Sequence, residues 1–422
     1  MTSLAEPLTS TTTAPDSGPA TSPFVGRRYL HLVLVLGALS AMGPLTIDTY
    51  LPALPQLTVD MGASDAQAQL TITGLLVGLG LGQLVIGPLS DAVGRRKPLL
   101  FGLAAHGLMS LLCALAPSVT MLALTRTLQG VGGAAVAVVS MAIVRDLFSG
   151  VRAAQLLSRL MLVVGVAPML APSLGSALLN VTSWRGIFVV LSAVAVALFV
   201  LALVALPETL PPVRRRPGNV RDSLRGYAGL FRDRLFVVMV VVSGLMFATL
   251  FAYISGAPFI LQDLFSLTPQ QFGLAFSANV VGLILVTQLN PLVIRRISPV
   301  TALFISVVVS FTGAVALLVT SITGFGGLLG FMVPLFFIVS AAGLSFPNAP
   351  AIALNRHGEA AGSASALLGA AQFVIGGLIA PLVGALANGT PVPMAAVILG
   401  TSAVALVLMT AARKSLGSVS YN

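Results

Sequence analysis

Two ionisable residues stand inside apolar stretches: Asp48, in a run that begins near Tyr29, and Arg126, in a run that begins near Val119. A charge deep in a membrane helix costs roughly 2.5–3.5 kcal/mol on insertion scales, so such residues face a partner or a wet cavity and mark ion or solute paths. Asp48 lies 12 residues before Asp60, about 18 Å along an ideal helix, and Arg126 lies 8 residues after Ser118, about 12 Å. Both fall in one layer, compatible with an ion pair or with two walls of one cavity. The chemistry open to this carboxyl group is protonation. Apolar surroundings disfavour its charge, a guanidinium favours it, and a site balanced between the two can load and unload a proton. The plainer reading is a polar bond that glues two helices. His106, in the run after Pro98, carries the same two readings, packed hydrogen-bonding residue or proton relay. Candidate polar contacts in the second half are Tyr253, Ser255, Asn348 and Gln372, with interhelical hydrogen bonding as the equal alternative.

A second group of charges sits at a hinge. The stretch GPLSDAVGRRKP, Gly87 to Pro98, is a tight charged hairpin between two long apolar runs. It places Asp91, Gly94, Arg95 and Arg96 where the chain leaves the hydrocarbon and re-enters it.

The elements that position these residues follow from composition. The chain of 422 residues is 57% hydrophobic and 8% charged, with a mean hydropathy of +1.01. A soluble domain carries about 25% charged residues, so this one requires lipid as solvent. In hydrocarbon only helices or closed barrels satisfy the backbone, and the runs lack the alternation of barrel strands. The expected fold class is an all-α polytopic membrane protein of twelve transmembrane helices in two six-helix halves. The spans are placed at 29–55, 66–90, 97–117, 119–146, 153–179, 185–206, 235–260, 270–294, 299–320, 325–352, 359–388 and 391–412. The expected organisation is a disordered cytoplasmic N-terminus (1–26), a six-helix half (27–206), a basic cytoplasmic linker (207–234), a second six-helix half (235–412) and a cytoplasmic tail (413–422). The first span is read as retained rather than as a cleaved signal. Two such halves imply a duplicated architecture with a solute cavity between them.

The net charge of +10 does not point to nucleic acid. Twenty of the 22 Lys and Arg fall in the termini and in the loops after spans 2, 4, 6, 8 and 10. That is the positive-inside pattern, and it puts both termini and the linker in the cytoplasm. The single Cys113 forms no internal disulfide. Gly74, Gly78 and Gly82 recur every four residues, a spacing that lets helix backbones approach. Pro168 and Pro172 share one face of the fifth span, with Gly165 and Gly175 flanking them, and Pro258 with Tyr253 and Ser255 is expected to break the seventh. No metal-binding cluster, HExxH or G-x-S-x-G is present, which argues against an intramembrane enzyme. A sensor would add a soluble output domain.

These residues resemble the major facilitator superfamily over the length after Gly26, and within it the Bcr/CflA-type drug:proton antiporters, which include chloramphenicol, florfenicol and bicyclomycin exporters. GPLSDAVGRRKP is similar to the superfamily's loop motif. IDTYLPALP resembles the subfamily's D-x-Y-L-P-A-L-P, LTRTLQGVGGA its R-x-x-Q-G-x-G, and GSASALLGAAQ its eleventh span. The resemblance implies a conformational latch of Gly87, Asp91, Gly94, Arg95, Arg96, Arg145 and Asp146. It implies proton coupling by Asp48 and Arg126, and substrate contacts from Asp48, Tyr50, Arg126, Gln129, Tyr253, Phe259 and Gln372. The antiporter motif is represented by Pro168, Pro172 and Gly175, with Ala167, Ala171 and Ser176 where the family has glycine. The half-repeat TQLNPLVIRR keeps Arg295 and Arg296 but lacks the Asp. The expected activity is proton-driven efflux of small amphipathic antimicrobials, chloramphenicol-like drugs foremost, across the plasma membrane, by a monomer whose partners are drug, protons and lipid and which needs no cofactor. The alternative is a proton-coupled or facilitated transporter of an endogenous metabolite.

Overall fold

Without water to pair its amides, a chain in lipid closes its hydrogen bonds within helices. The computed structural model describes residues 27–148, 150–215, 226–355 and 361–416. The expected N-terminal segment, the middle of the linker and the last residues of the tail lie outside that set. The first half contains α1 (Arg27–Asp48), a short 3-10 turn, α2 (Leu54–Met61), α3 (Asp65–Val93), α4 (Arg96–Ala114), α5 (Val119–Leu147), α6 (Gly150–Leu179) and α7 (Trp184–Ala205). The second contains α8 (Arg234–Phe259), a π-turn at Ile260–Leu264, α9 (Pro269–Val293), α10 (Pro299–Thr323), α11 (Gly327–Leu354), α12 (Ala361–Ala385) and α13 (Val392–Leu416). Twelve helical stretches are long and apolar enough to cross a membrane, and no strand occurs among the described residues. The all-α, twelve-span expectation therefore holds.

The duplication shows in local chemistry. Ser64 and Gln67 close a capping box at the start of α3, and Thr268 and Gln271 close one at the corresponding start of α9. Upstream of each box the chain departs from α-geometry, in the 3-10 turn at Leu51–Ala53, which α2 separates from its box, and in the π-turn at Ile260–Leu264, which lies just before its own. Pro258 does not break α8 where the sequence led us to expect it. The helix runs through Tyr253 and Ser255 to Phe259, and irregularity begins two residues after the proline. A proline perturbs the ladder only at its own missing donor and one turn upstream, and the neighbouring helices hold the rest.

Glycine sets the closest approaches. On α3, a side chain on Gly78 would run into the Thr127 carbonyl of α5, and one on Gly130 would come within 2.9 Å of the Leu79 nitrogen. The Gly74, Gly78 and Gly82 stripe therefore packs α3 on α5 inside the first half. Pro168 and Pro172 are carried within a continuous α6, and Gly175 lets that helix press on the Thr49 carbonyl and Pro52. The two halves meet mainly through α3 against α12 and α6 against α9. The largest apolar cluster crosses that seam, with Tyr50, Leu54 and Phe188 on one side and Tyr253, Phe276 and Leu335 on the other.

Cations mark one end of the bundle. Arg95, Arg96, Lys97, Arg145, Arg214, Arg215, Arg295 and Arg296 cluster where α3, α5, α7 and α9 finish, hereafter the basic end. Arg185 is the only Lys or Arg at the far end among the described residues.

Candidate functional site

The break in the first span places Asp48. Pro44 lies inside α1, the helix stops at Asp48, and Pro52 and Pro55 start the next two short elements. Asp48 is 4% exposed, and its carboxyl group has no hydrogen-bond partner among the described residues. Its neighbour Thr49 keeps a buried hydroxyl without a partner. Ile47 and Tyr50, on either side of this break, pack in the apolar cluster that also holds Tyr253 of the other half. Tyr253 stacks on Phe276 at 5.4 Å and its hydroxyl accepts from Asn279 Nδ2 at 3.0 Å.

Arg126 is in the same half but not in the same bond. It is wholly buried. Its Nη1 donates to the Thr46 carbonyl at 3.1 Å and to Gln129 Oε1 at 3.0 Å, while Nε and Nη2 have no partner. Its guanidinium lies 4.9 Å from the Tyr50 ring and 5.5 Å from the Phe188 ring, a cation–π setting. The structure does not form the ion pair that depth alone allowed. Arg126 instead spends a donor on a backbone carbonyl two residues before Asp48, because α1 passes α5 there before it ends.

His106 closes this network. Its Nδ1 faces the Gln129 carbonyl at 3.1 Å, and a carbonyl only accepts, so Nδ1 carries the hydrogen. Nε2 then faces the Thr46 hydroxyl at 3.2 Å. Gln129 Nε2 donates to Ser110 Oγ at 2.7 Å, and Ser110 donates to the His106 carbonyl at 2.7 Å. Tyr50 shares a 3.1 Å hydrogen bond with Thr71. The result is a buried polar knot tying α1, α4 and α5, with Arg126 at its centre. Sequence reading named Asp48, Tyr50, His106, Arg126 and Gln129. It missed Thr46, Ser110 and Asn279, whose hydroxyls and amide carry no signal beyond being polar in an apolar run.

The remaining candidates lie apart. Gln372 donates to Ser243 at 2.6 Å within the second half. Phe259 lies six residues past Tyr253 and lines a crevice of about 240 Å³ at the far end, with Asp65, Gln69, Asp263, Gly384 and Met394.

At the basic end, Arg95 joins α3 to α5. Its Nη1 bonds Asp91 at 2.6 Å and its Nε bonds Asp146 at 2.8 Å. Burial works against its charge, and these two carboxylates outweigh that and move its pKa up. All three residues belong to the first half. Arg145 is exposed, and Gly87 has open space beside it. Glu208, which sequence reading did not single out, completes the cluster. Its Oε1 accepts from the backbone of Arg95 at 2.8 Å and of Leu210 at 3.0 Å, its Oε2 accepts from Arg96 N at 3.2 Å, and Arg215 lies at 4.0 Å. Thr209 adds a 3.2 Å bond to Asp146. Gly94, at φ 99°, is required here twice over. Its backbone is left-handed, and a side chain would meet the Glu208 carboxylate.

Partial burial alone would raise the pKa of Glu208. The three backbone donors and Arg215 overcome it, and the carboxyl is held below its usual range. A depressed carboxylate contributes stability above its unfolded value, about 4.3, and loses it as pH falls toward the folded one. Glu208→Gln is expected to lower the unfolding temperature at pH 7 by roughly 1–2 °C, solvent screening the partly exposed group. Thermal scans should show that difference closing as pH drops below about 4.

The chain matches the Major Facilitator Superfamily over residues 34–381. It is 38% identical over 389 residues to the uncharacterized MFS-type transporter YdgK of Bacillus subtilis (strain 168), covering 90% of this chain and 94% of that protein. It is 30% identical over 362 residues to a bicyclomycin resistance protein homolog of Haemophilus influenzae, covering 86% and 91%. Among solved structures the nucleoside transporter NupG superposes with a TM-score of 0.74 at 14% identity, covering 91% of this chain and 99% of that one, a likeness of fold alone. With twelve spans, the loop motif and these relatives together, the chain belongs to the major facilitator superfamily, on the side of its Bcr/CflA-type members, and is a membrane transporter rather than an enzyme.

Proposed function

We propose that the protein exports small amphipathic antimicrobials, chloramphenicol-like drugs foremost, in exchange for protons across the plasma membrane. The observation that carries this reading is the Asp48 carboxyl group. It is buried at a break in α1 without a hydrogen bond to its carboxyl among the described residues, and its neighbours Ile47 and Tyr50 pack in the apolar cluster that also holds Tyr253 of the other half. A group so placed changes its ionisation when the cavity opens to a different side. Arg126, held by Thr46 and Gln129, keeps a fixed positive charge in the same half. Tyr50, Tyr253 and Phe259 supply mostly apolar, weakly directional contacts, which suits loose specificity, and Gln129 and Gln372 supply polar ones.

The basic end is assigned to the cytoplasm, with both termini there. Apart from the Tyr227 hydroxyl, which donates to the Leu84 carbonyl at 3.0 Å, the side-chain hydrogen bonds between the halves among the described residues lie toward the far end, so the conformer is read as open inward. In it the Asp91–Arg95–Asp146 cluster, with Gly87, Gly94, Arg96 and Arg145, is assembled within one half. Its latch role is to engage the other half when the halves rock outward. Pro168, Pro172 and Gly175 shape the α6 surface against the first span and limit leakage of protons past the cavity. The working unit is a monomer and the proton gradient is the energy source.

A susceptibility panel in a drug-sensitive bacterial host, with and without expression and with a protonophore, tests the proposal. Resistance to chloramphenicol-type drugs that the protonophore abolishes is the expected result. Expression that changes no susceptibility, while a metabolite accumulates in a proton-dependent way, would replace export with uptake.

A further inference from the structure

We propose that Gln69 is the positioning residue that sets how firmly the two halves close at the far end. Its side chain is 1% exposed and reaches across the seam in two directions at once. Nε2 donates to the Ser255 carbonyl of α8 at 3.1 Å, and Oε1 accepts from the Gly384 amide of α12 at 2.8 Å. One planar amide thus ties α3 to two helices of the other half. Among the described residues, the other side-chain bonds across the seam between the two sets of helices each tie α3, α6 or the first span to one neighbouring segment. They are Thr73 to Gly377 at 2.7 Å, Gln262 to Pro52 at 3.2 Å, Ser176 to Pro269 at 2.6 Å, Gln270 to Asn180 at 2.6 Å and to the Ser176 carbonyl at 3.4 Å, and Ser277 to Met169 at 2.6 Å.

The local backbone is arranged for this clamp. A side chain on Gly384 would sit 2.6 Å from both the Ala66 nitrogen and Gln69 Oε1, so only glycine lets α12 come this close. Pro381 of α12 has no N–H, which leaves the carbonyl of Gly377, four residues earlier, without its helical donor. The Thr73 hydroxyl, one turn along α3 from Gln69, takes that carbonyl. The contact then continues along the same face of α3, where a side chain on Gly80 would come within 2.9 Å of the Ala370 carbonyl. The far-end closure is therefore made of uncharged bonds, all but that between Gln270 and Asn180 with backbone groups. Such bonds break and re-form without moving a charge, as a seam that opens once per cycle requires. The charges that face the crevice above Gln69 are Asp65 at the start of α3 and Asp263 after α8, and α12 contributes none to its lining.

The inference rests on reading the chain as a carrier whose halves rock, but not on the drug or on proton coupling. Its test needs neither. Nitroxide labels at Val59 and Phe325, 82% and 75% exposed at the far ends of the two halves, report their separation by pulsed electron spin resonance. The native Cys113 is buried and does not compete for label. In the purified, drug-free protein, Gln69→Ala should raise the ratio of long to short distances roughly tenfold, which is about 1.4 kcal/mol. Gln69→Glu supplies the second arm. Protonated, it can still donate to Ser255 and accept from Gly384. Ionised, it turns a negative oxygen toward the Ser255 carbonyl, so the long-distance fraction should rise with pH. Asp65 and Asp263 add to that repulsion. A Gln69→Glu protein with the wild-type distance distribution at every pH overturns the proposal, even where Gln69→Ala fails to fold. Lack of drug export in the susceptibility panel would leave this distance result standing.

Discussion

Asp48→Asn is expected to reduce drug export to the background of a host without the transporter, while the protein still reaches the membrane in wild-type amount. Asn has the shape of a protonated aspartate but can never release a proton. The Asp48 side chain makes no hydrogen bond or ion pair among the described residues, so the substitution removes no bond that holds the fold. It also removes a charge whose placement in a span costs roughly 2.5–3.5 kcal/mol, so insertion should not suffer. The sharper measurement is made in vesicles. The Asn variant should still let drug equilibrate down its own gradient, since the halves can rock with a neutral site, but should not concentrate drug when a pH gradient is imposed. Drug binding should release protons from the wild type and none from the variant. A variant that pumps uphill at a rate near wild type would remove the carboxyl group from the mechanism.

How much of this was legible in the sequence depends on what kind of signal each feature leaves. The spans were, because hydrocarbon forces long apolar helices, and the turn in GPLSDAVGRRKP was, because it needs Gly94 and the membrane surface its cations, although the helix before it runs on through Gly87 to Val93. Asp48 and Arg126 were visible because charges are conspicuous in apolar runs. Their partners were not. Arg126 bonds a main-chain carbonyl on a helix eighty residues away, and any residue could have supplied that carbonyl. Glu208 escaped for the same reason, since its targets are the backbone amides of Arg95, Arg96 and Leu210. Gln69 looked like one polar residue among several at a helix start, and its meaning appears only when Ser255 and Gly384 arrive from the other half. Equal depth suggested that Asp48 and Arg126 could pair. Depth fixes height along a helix but not azimuth, and α1 ends at Asp48.

The role of Arg126 separates into charge and geometry, and Arg126→Lys tests which dominates. Lysine keeps the positive charge but offers a compact ammonium in place of a planar fork. The present guanidinium bonds Thr46 and Gln129 while lying against the rings of Tyr50 and Phe188. An ammonium on a flexible stem cannot hold all four contacts, and a buried acceptor left bare costs about 1–3 kcal/mol. Gln129 would then be free to turn, and with it the bond to Ser110 that joins α5 to α4. Efflux per transporter in the membrane should fall at least about tenfold, which corresponds to about 1.4 kcal/mol of misplacement. Gln129→Leu should lose activity in the same direction, since it removes the Arg126 support and leaves the charge intact. If Arg126→Lys exports at the wild-type rate while Arg126→Gln is dead, a fixed positive charge beside the seam suffices, and the polar knot between α1, α4 and α5 serves the fold rather than transport.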